Sequence, residues 1–130
     1  MCLINCPEQV ISILESKEKE ITCYKILEKS VENNLFSLHY PIQYRPGIIK
    51  SDANYLRIGS YGAIINKGIH VYRTLKLATY IYARIKSNCQ SIVIVKVTGK
   101  KEDLLGANLE EMVFSKVTLD EEEYKHVLDE

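Results

Sequence analysis

Gly68-Ile69-His70-Val71-Tyr72-Arg73-Thr74, followed by Leu75-Lys76-Leu77-Ala78-Thr79-Tyr80-Ile81-Tyr82-Ala83-Arg84-Ile85, is the stretch that decides the fold class. Its first part, β-branched and aromatic behind a glycine, reads as a short strand. Its second part carries Leu75, Ala78, Tyr82 and Ile85 at helical spacing, with Leu77 and Ile81 widening the apolar face. Thr74 stands where an N-cap belongs. Arg84 and Lys86 stand where the helix dipole favours cations, and Asn88 is the expected stop. A strand that turns at once into an amphipathic helix over 74–87 is the predicted centre of the molecule.

Downstream, Ser91-Ile92-Val93-Ile94-Val95-Lys96-Val97 is the most apolar run and reads as a central strand buried on both faces. A charged loop with one helical turn is expected over 99–108, and one last strand from Met112 to Leu119. Asp120 then caps a terminal helix, with Glu123 completing a capping box. Upstream, Pro7 to Glu15 reads as a helix capped by Asn5, with Val10, Ile11, Ile13 and Leu14 as its apolar face. Ile21 to Leu27 is a predicted strand and Ser30 to Asn34 a polar turn. Pro41 makes Leu35 to Tyr44 an extended edge or an aromatic-packed loop. Gly47 to Lys50 and Tyr55 to Ile58 are short strands. Gly59-Ser60-Tyr61-Gly62 is a turn needing positive φ; it lacks the Gly-Lys-Ser/Thr ending of a phosphate loop. This order predicts an α+β fold: a single domain over 1–130, with a mixed or mostly antiparallel sheet, a central helix and terminal helices.

Composition narrows the function classes. A chain of 130 residues can bury one core. Its formal net charge of +0 gives no electrostatic case for nucleic acid or an anionic membrane surface. No window approaches the roughly 18 apolar residues of a membrane span, and no signal-peptide pattern opens the chain, so a soluble, intracellular protein is expected. Nine tyrosines against two phenylalanines and no tryptophan suit cleft edges and protein interfaces, because tyrosine pairs an apolar ring with a polar tip. Cys2 and Cys6 are close, but Cys23 and Cys89 stand apart, so free thiols are expected rather than a zinc site.

Few residues offer chemistry. There is no Gly-x-Ser-x-Gly elbow and no dinucleotide fingerprint. His126 reads as solvent-exposed and His39 as a packing residue. His70, beside Tyr72 on a strand edge, is either a satisfied core histidine or a ligand contact.

The segment Lys67-Gly68-Ile69-His70-Val71-Tyr72, with Ala78 and Tyr82 following, resembles the Gly-Ile-Tyr-Phe strand and helix of ADP-ribosyltransferases of the poly(ADP-ribose) polymerase type. Tyr55-Leu56-Arg57-Ile58 is similar to the strand preceding it there. Glu110-Glu111-Met112-Val113-Phe114-Ser115 is similar to that family's Asn-Glu-Tyr-x-Val-Tyr strand. The resemblance implies Glu111 as catalytic acid, His70 in place of the tyrosine that stacks on nicotinamide, Tyr72 beside them, and Tyr24 and Gly68 against an NAD cofactor. The same strand and helix resemble small domains of unknown function from phages and large DNA viruses. The sequence departs from the enzyme family at its first motif: Cys23-Tyr24-Lys25 stands where the family has His-Gly or Arg-Gly.

That departure favours a non-catalytic binding or structural module without a cofactor, acting through a protein partner or through self-association as a homodimer. The alternatives are an ADP-ribosyltransferase-like enzyme using NAD, and a nucleic-acid binder using Lys25, Arg45, Arg57, Lys67 and Arg73.

Overall fold

A computed structural model of the chain describes residues 3–38, 42–51, 56–59, 62–65, 68–86 and 91–129. His39, Tyr55, Lys67, Asn88, Cys2, Cys89 and the tip of the Gly59–Gly62 turn lie outside them. The architecture is α+β, with three helices and an antiparallel sheet among the described residues. The chain runs β1 (Leu3–Ile4), α1 (Pro7–Glu15), β2 (Glu20–Lys29), β3 (Leu35–Ser37), β4 (Gln43–Tyr44), β5 (Gly47–Lys50), β6 (Leu56–Gly59) and β7 (Gly62–Ile65). It continues through β8 (Ile69–Tyr72), α2 (Leu75–Lys86), β9 (Ile92–Lys100), a helical turn at Lys101–Asp103, β10 (Leu104–Ala107), β11 (Glu111–Phe114), β12 (Lys116–Leu119) and α3 (Glu121–Leu128).

The main sheet has the order β10-β11-β8-β2-β9-β12-β5, with β3 and β4 added beside β2. One residue, Ser115, separates β11 from β12, although three strands lie between them in the sheet. In a flat sheet four strand spacings would hold them about 19 Å apart. The sheet must therefore curl until its two ends meet. Ser115 holds that corner: its N–H donates to Asp103 O, and its own carbonyl accepts from the N–H of Ser51, both at 2.9 Å. The single last strand expected over Met112–Leu119 is thus two strands, β11 pairing with β8 and β12 with β5, on either side of Ser115.

Inside the curl, alternate residues of the long β2–β9 ladder form the core. Cys23, Leu27, Val93, Val95 and Val97 join Val71, Met112, Phe114 and Leu119 there, and Ile13 of α1 and Val127 of α3 close it. The outer face of β9 carries Ile94, Lys96, Thr98 and Lys100, and only part of it is covered, so the strand expected to be buried on both faces is buried on one. α2 packs on β2, β8 and β9. Thr74 caps it as expected, its Oγ1 accepting the Leu77 N–H at 3.2 Å. Ala78 is buried, but Leu75 is 51% exposed, so the apolar stripe starts one turn later than its spacing implied.

Other ends differ from expectation for identifiable reasons. Cys6, not Asn5, is the N-cap of α1; the Asn5 Oδ1 instead accepts the N–H of Ala107 at 2.9 Å, tying the N-terminus to β10. Asp120 sits at the N-cap of α3 without a side-chain cap, and the Glu123 carboxylate turns away from a capping box to accept the N–H of Lys96 at 3.2 Å. That N–H lies where β12 has left the edge of β9, since β12 meets β9 at Thr118 and Thr98. The charged loop over 99–108 contains the expected helical turn, but β10 follows it. A second sheet, β1-β7-β6, includes two strands that were not expected.

Candidate functional site: a cleft where strands part

Along one edge, β2 pairs with β3 at Leu27, Glu28 and Lys29, and with β8 at Tyr24, opposite Tyr72. Between these contacts the edge forks beside Lys25 and Ile26. A cleft of about 70 Å³ lies at the fork, and Lys25, Gly68, His70, Tyr72 and Glu111 are among its lining residues. Register explains the meeting: Glu111 is directly opposite Tyr72, and Val113 opposite His70, across the β11–β8 pair. Four of the five residues that the resemblance singled out (Glu111, His70, Tyr72 and Gly68) therefore share one cleft. Tyr24 stands beside Tyr72 in register but lines a different groove, described below.

Lys25 was read only as one member of a scattered basic set. The signal for a special role was its place between Cys23 and Leu27 on the inward side of a strand, where a lysine is costly. Its Nζ donates to the carbonyl of His70 at 2.8 Å and so bonds β8 where the ladder is missing. Burial pulls its ammonium down to about 8, against a smaller opposing pull from Glu111. Burial, and then the neighbouring Glu110, hold the Glu111 carboxyl above the ordinary range, with Lys25 opposing. Burial and Glu111 likewise raise the Tyr72 phenol. His70 is buried, and its Nδ1 lies 3.3 Å from Gly68 O, a contact that suits the Nδ1–H tautomer.

These shifts predict a pH dependence. Between pH 8 and 9 the folded chain has released the Lys25 proton while the unfolded chain, with its ordinary lysine value of 10.5, still holds it. Unfolding then takes up a proton, so stability rises with pH, by at most about 1.4 kcal/mol per unit and less where water reaches the amine. Above pH 9 the sign is opposed by Cys23, whose thiol burial raises from 9.0 to about 12: the unfolded chain loses a proton the fold keeps. Urea titrations of reduced protein should show the rise between pH 8 and 9, a flattening up to about pH 10, and a fall above it as the raised Cys23, Tyr44 and Tyr72 groups all oppose folding. Lys25→Met should flatten the rise.

The second feature is a groove of about 640 Å³ between α2 and α3, floored by Tyr24, Ile94 and Lys96 and walled by Leu75, Tyr82 and His126. It shares Tyr82 and Val93 with a further hollow of about 440 Å³ that extends past Lys86 toward Val31, which is 97% exposed. Together they form one channel along α2.

Among the described residues, Lys25, Arg45 and Arg73 each have a separate partner. Arg73 Nη1 is held by Gln9 Oε1 at 2.7 Å and Asn108 O at 2.9 Å, Arg45 bonds Gln43, and Lys25 faces the cleft. The side chains of Arg57 and Lys67 lie outside the described residues. No helix of the described residues is long and apolar enough to cross a membrane. The chain matches no protein-family model, no curated protein and no solved structure, so its own geometry carries the functional reading.

Proposed function

We propose that the protein is a non-catalytic binding module that takes a segment of a protein partner in the channel along α2. The observation that carries this reading is the channel itself: two adjoining hollows that share Tyr82 and Val93, about half apolar through Tyr24, Leu75, Tyr82 and Ile94. Aromatic residues bordered by polar ones are the composition of interface centres. Three lysines, Lys29, Lys86 and Lys96, border it against one carboxylate, Glu123, so its rim is basic on balance. The fitting occupant is therefore an amphipathic segment with acidic residues at its edges.

Leu75→Glu tests the reading with little risk to folding, because the side chain is half exposed. Immobilised wild-type protein should retain a partner that Leu75→Glu loses and His70→Ala keeps. Retention unchanged by Leu75→Glu would count against the channel. Sedimentation of the protein alone distinguishes a second copy of this chain from a different protein.

A second reading is favoured by one observation, the convergence of Glu111, His70, Tyr72 and Gly68 on one cleft. On the resemblance to ADP-ribosyltransferases, that cleft would hold the nicotinamide end of NAD. Its volume of about 70 Å³ speaks against it, since sites for ligands of that size run to about 300–1,000 Å³.

A further inference from the structure

The Lys25 ammonium has three N–H donors. One is accepted by the carbonyl of His70; among the described residues no protein acceptor meets the other two, and no carboxylate stands within 4.0 Å of Nζ. Lys25 is half-buried, and donors in such a cleft are completed by water or by a ligand. Around them the cleft is walled by apolar Ile26, Leu38, Val71 and Ile85, with the Tyr72 and Glu111 side chains at its border. A space of about 70 Å³ accepts a group of a few heavy atoms and excludes a nucleotide.

We propose that the fork cleft is a binding site for a small carboxylate, held by the Lys25 ammonium. A carboxylate supplies two acceptor oxygens to the two open donors and brings the counter-charge that Lys25 lacks at contact distance. The titratable groups lining the site are His70 and Tyr72 on β8 and Glu111 on β11; Cys23 on β2 and Glu110 beside β11 act on Lys25 and Glu111 electrostatically without lining it. Of these, Glu111 opposes the ligand's charge. Binding therefore favours the protonated Glu111 carboxyl and the protonated Lys25, and it weakens as pH rises through about 8. The cleft touches α2 at Ile85 but shares no lining residue with the α2 channel, so it stands whether or not that channel holds a partner.

The carboxylate could belong to a free small acid or to an acidic side chain of a protein, and the probes separate these. Acetate and propionate, then a short end-blocked peptide carrying one aspartate, are titrated into the protein while the amide signals of His70, Val71 and Tyr72 are followed. Saturation with a dissociation constant on the order of millimolar is expected. Lys25→Met should weaken it at least about tenfold, and Glu111→Gln should tighten it several-fold. Saturation by acetate points to a free acid, and by the peptide alone to a protein side chain. If neither probe saturates, or if the shifts persist unchanged in Lys25→Met, the proposal fails. Should Lys25→Met not fold, the titration of the Lys25 amine in the wild-type protein decides. Saturating acetate should raise its midpoint, and an unmoved midpoint would overturn the site.

Discussion

Phe114→Ala is expected to cost about 3–5 kcal/mol of stability. Phe114 is fully buried and is the last residue of β11 before the Ser115 corner, so its ring fills the interior where the curled sheet closes. The opposite wall is the backbone of Gly99. A Cβ built there would lie 2.5 Å from Phe114 Cε1 and 2.7 Å from Cδ1 and Cζ, so glycine is required by the close approach of an aromatic ring to the chain. Gly99→Ala alone should destabilise by about 1–3 kcal/mol through overpacking. In the Phe114→Ala background the added methyl meets a void and should cost much less. Urea denaturation of the four proteins of this cycle measures the coupling, and simple additivity would contradict the packing described.

Gly68→Ala should be nearly as damaging. Gly68 has φ +111, outside the range that side-chain-bearing residues adopt readily, and an added Cβ would stand 2.5 Å from Val113 Cγ1 and 3.3 Å from the carbonyl oxygen of Phe114. Strain and overlap together predict a loss of about 2–4 kcal/mol, visible as a lowered thermal midpoint. A structural demand for glycine at the start of β8 thus accounts for a residue that the family resemblance assigns to a cofactor. An unchanged midpoint in Gly68→Ala would remove that account.

How much of this was legible depends on the kind of signal each segment carries. α1 was legible from Pro7 to Glu15 because proline, the first-turn acid and a short apolar face agree. The Thr74 cap and α2 were legible because the helical period is sustained, and β9 because a β-branched run of that length has few alternatives. Leu3–Ile4 and Leu104–Ala107 gave no pattern: the first is too short to alternate, and the second is a strand only because β11 lies beside it. Ser115 and Lys116 part the apolar run by only two polar residues, which one continuous strand could also carry, so the corner is set by the change of pairing partner on either side of it. Asn5 and Glu123 illustrate the same limit, since each is a good local cap that a distant N–H claims instead. At the site, Glu111, His70 and Tyr72 were found together by resemblance. Lys25 was missed because a charge in a strand was counted with the surface basics, although its alternation with Cys23 and Leu27 put it inward.

Titration calorimetry with NAD puts the non-catalytic reading at greatest risk. The wild-type protein is compared with Glu111→Gln and His70→Ala, with NAD raised to millimolar concentration. No saturable heat is expected in any of the three. A saturable heat in the wild type that both substitutions alter would contradict that reading and would assign the cleft to the dinucleotide.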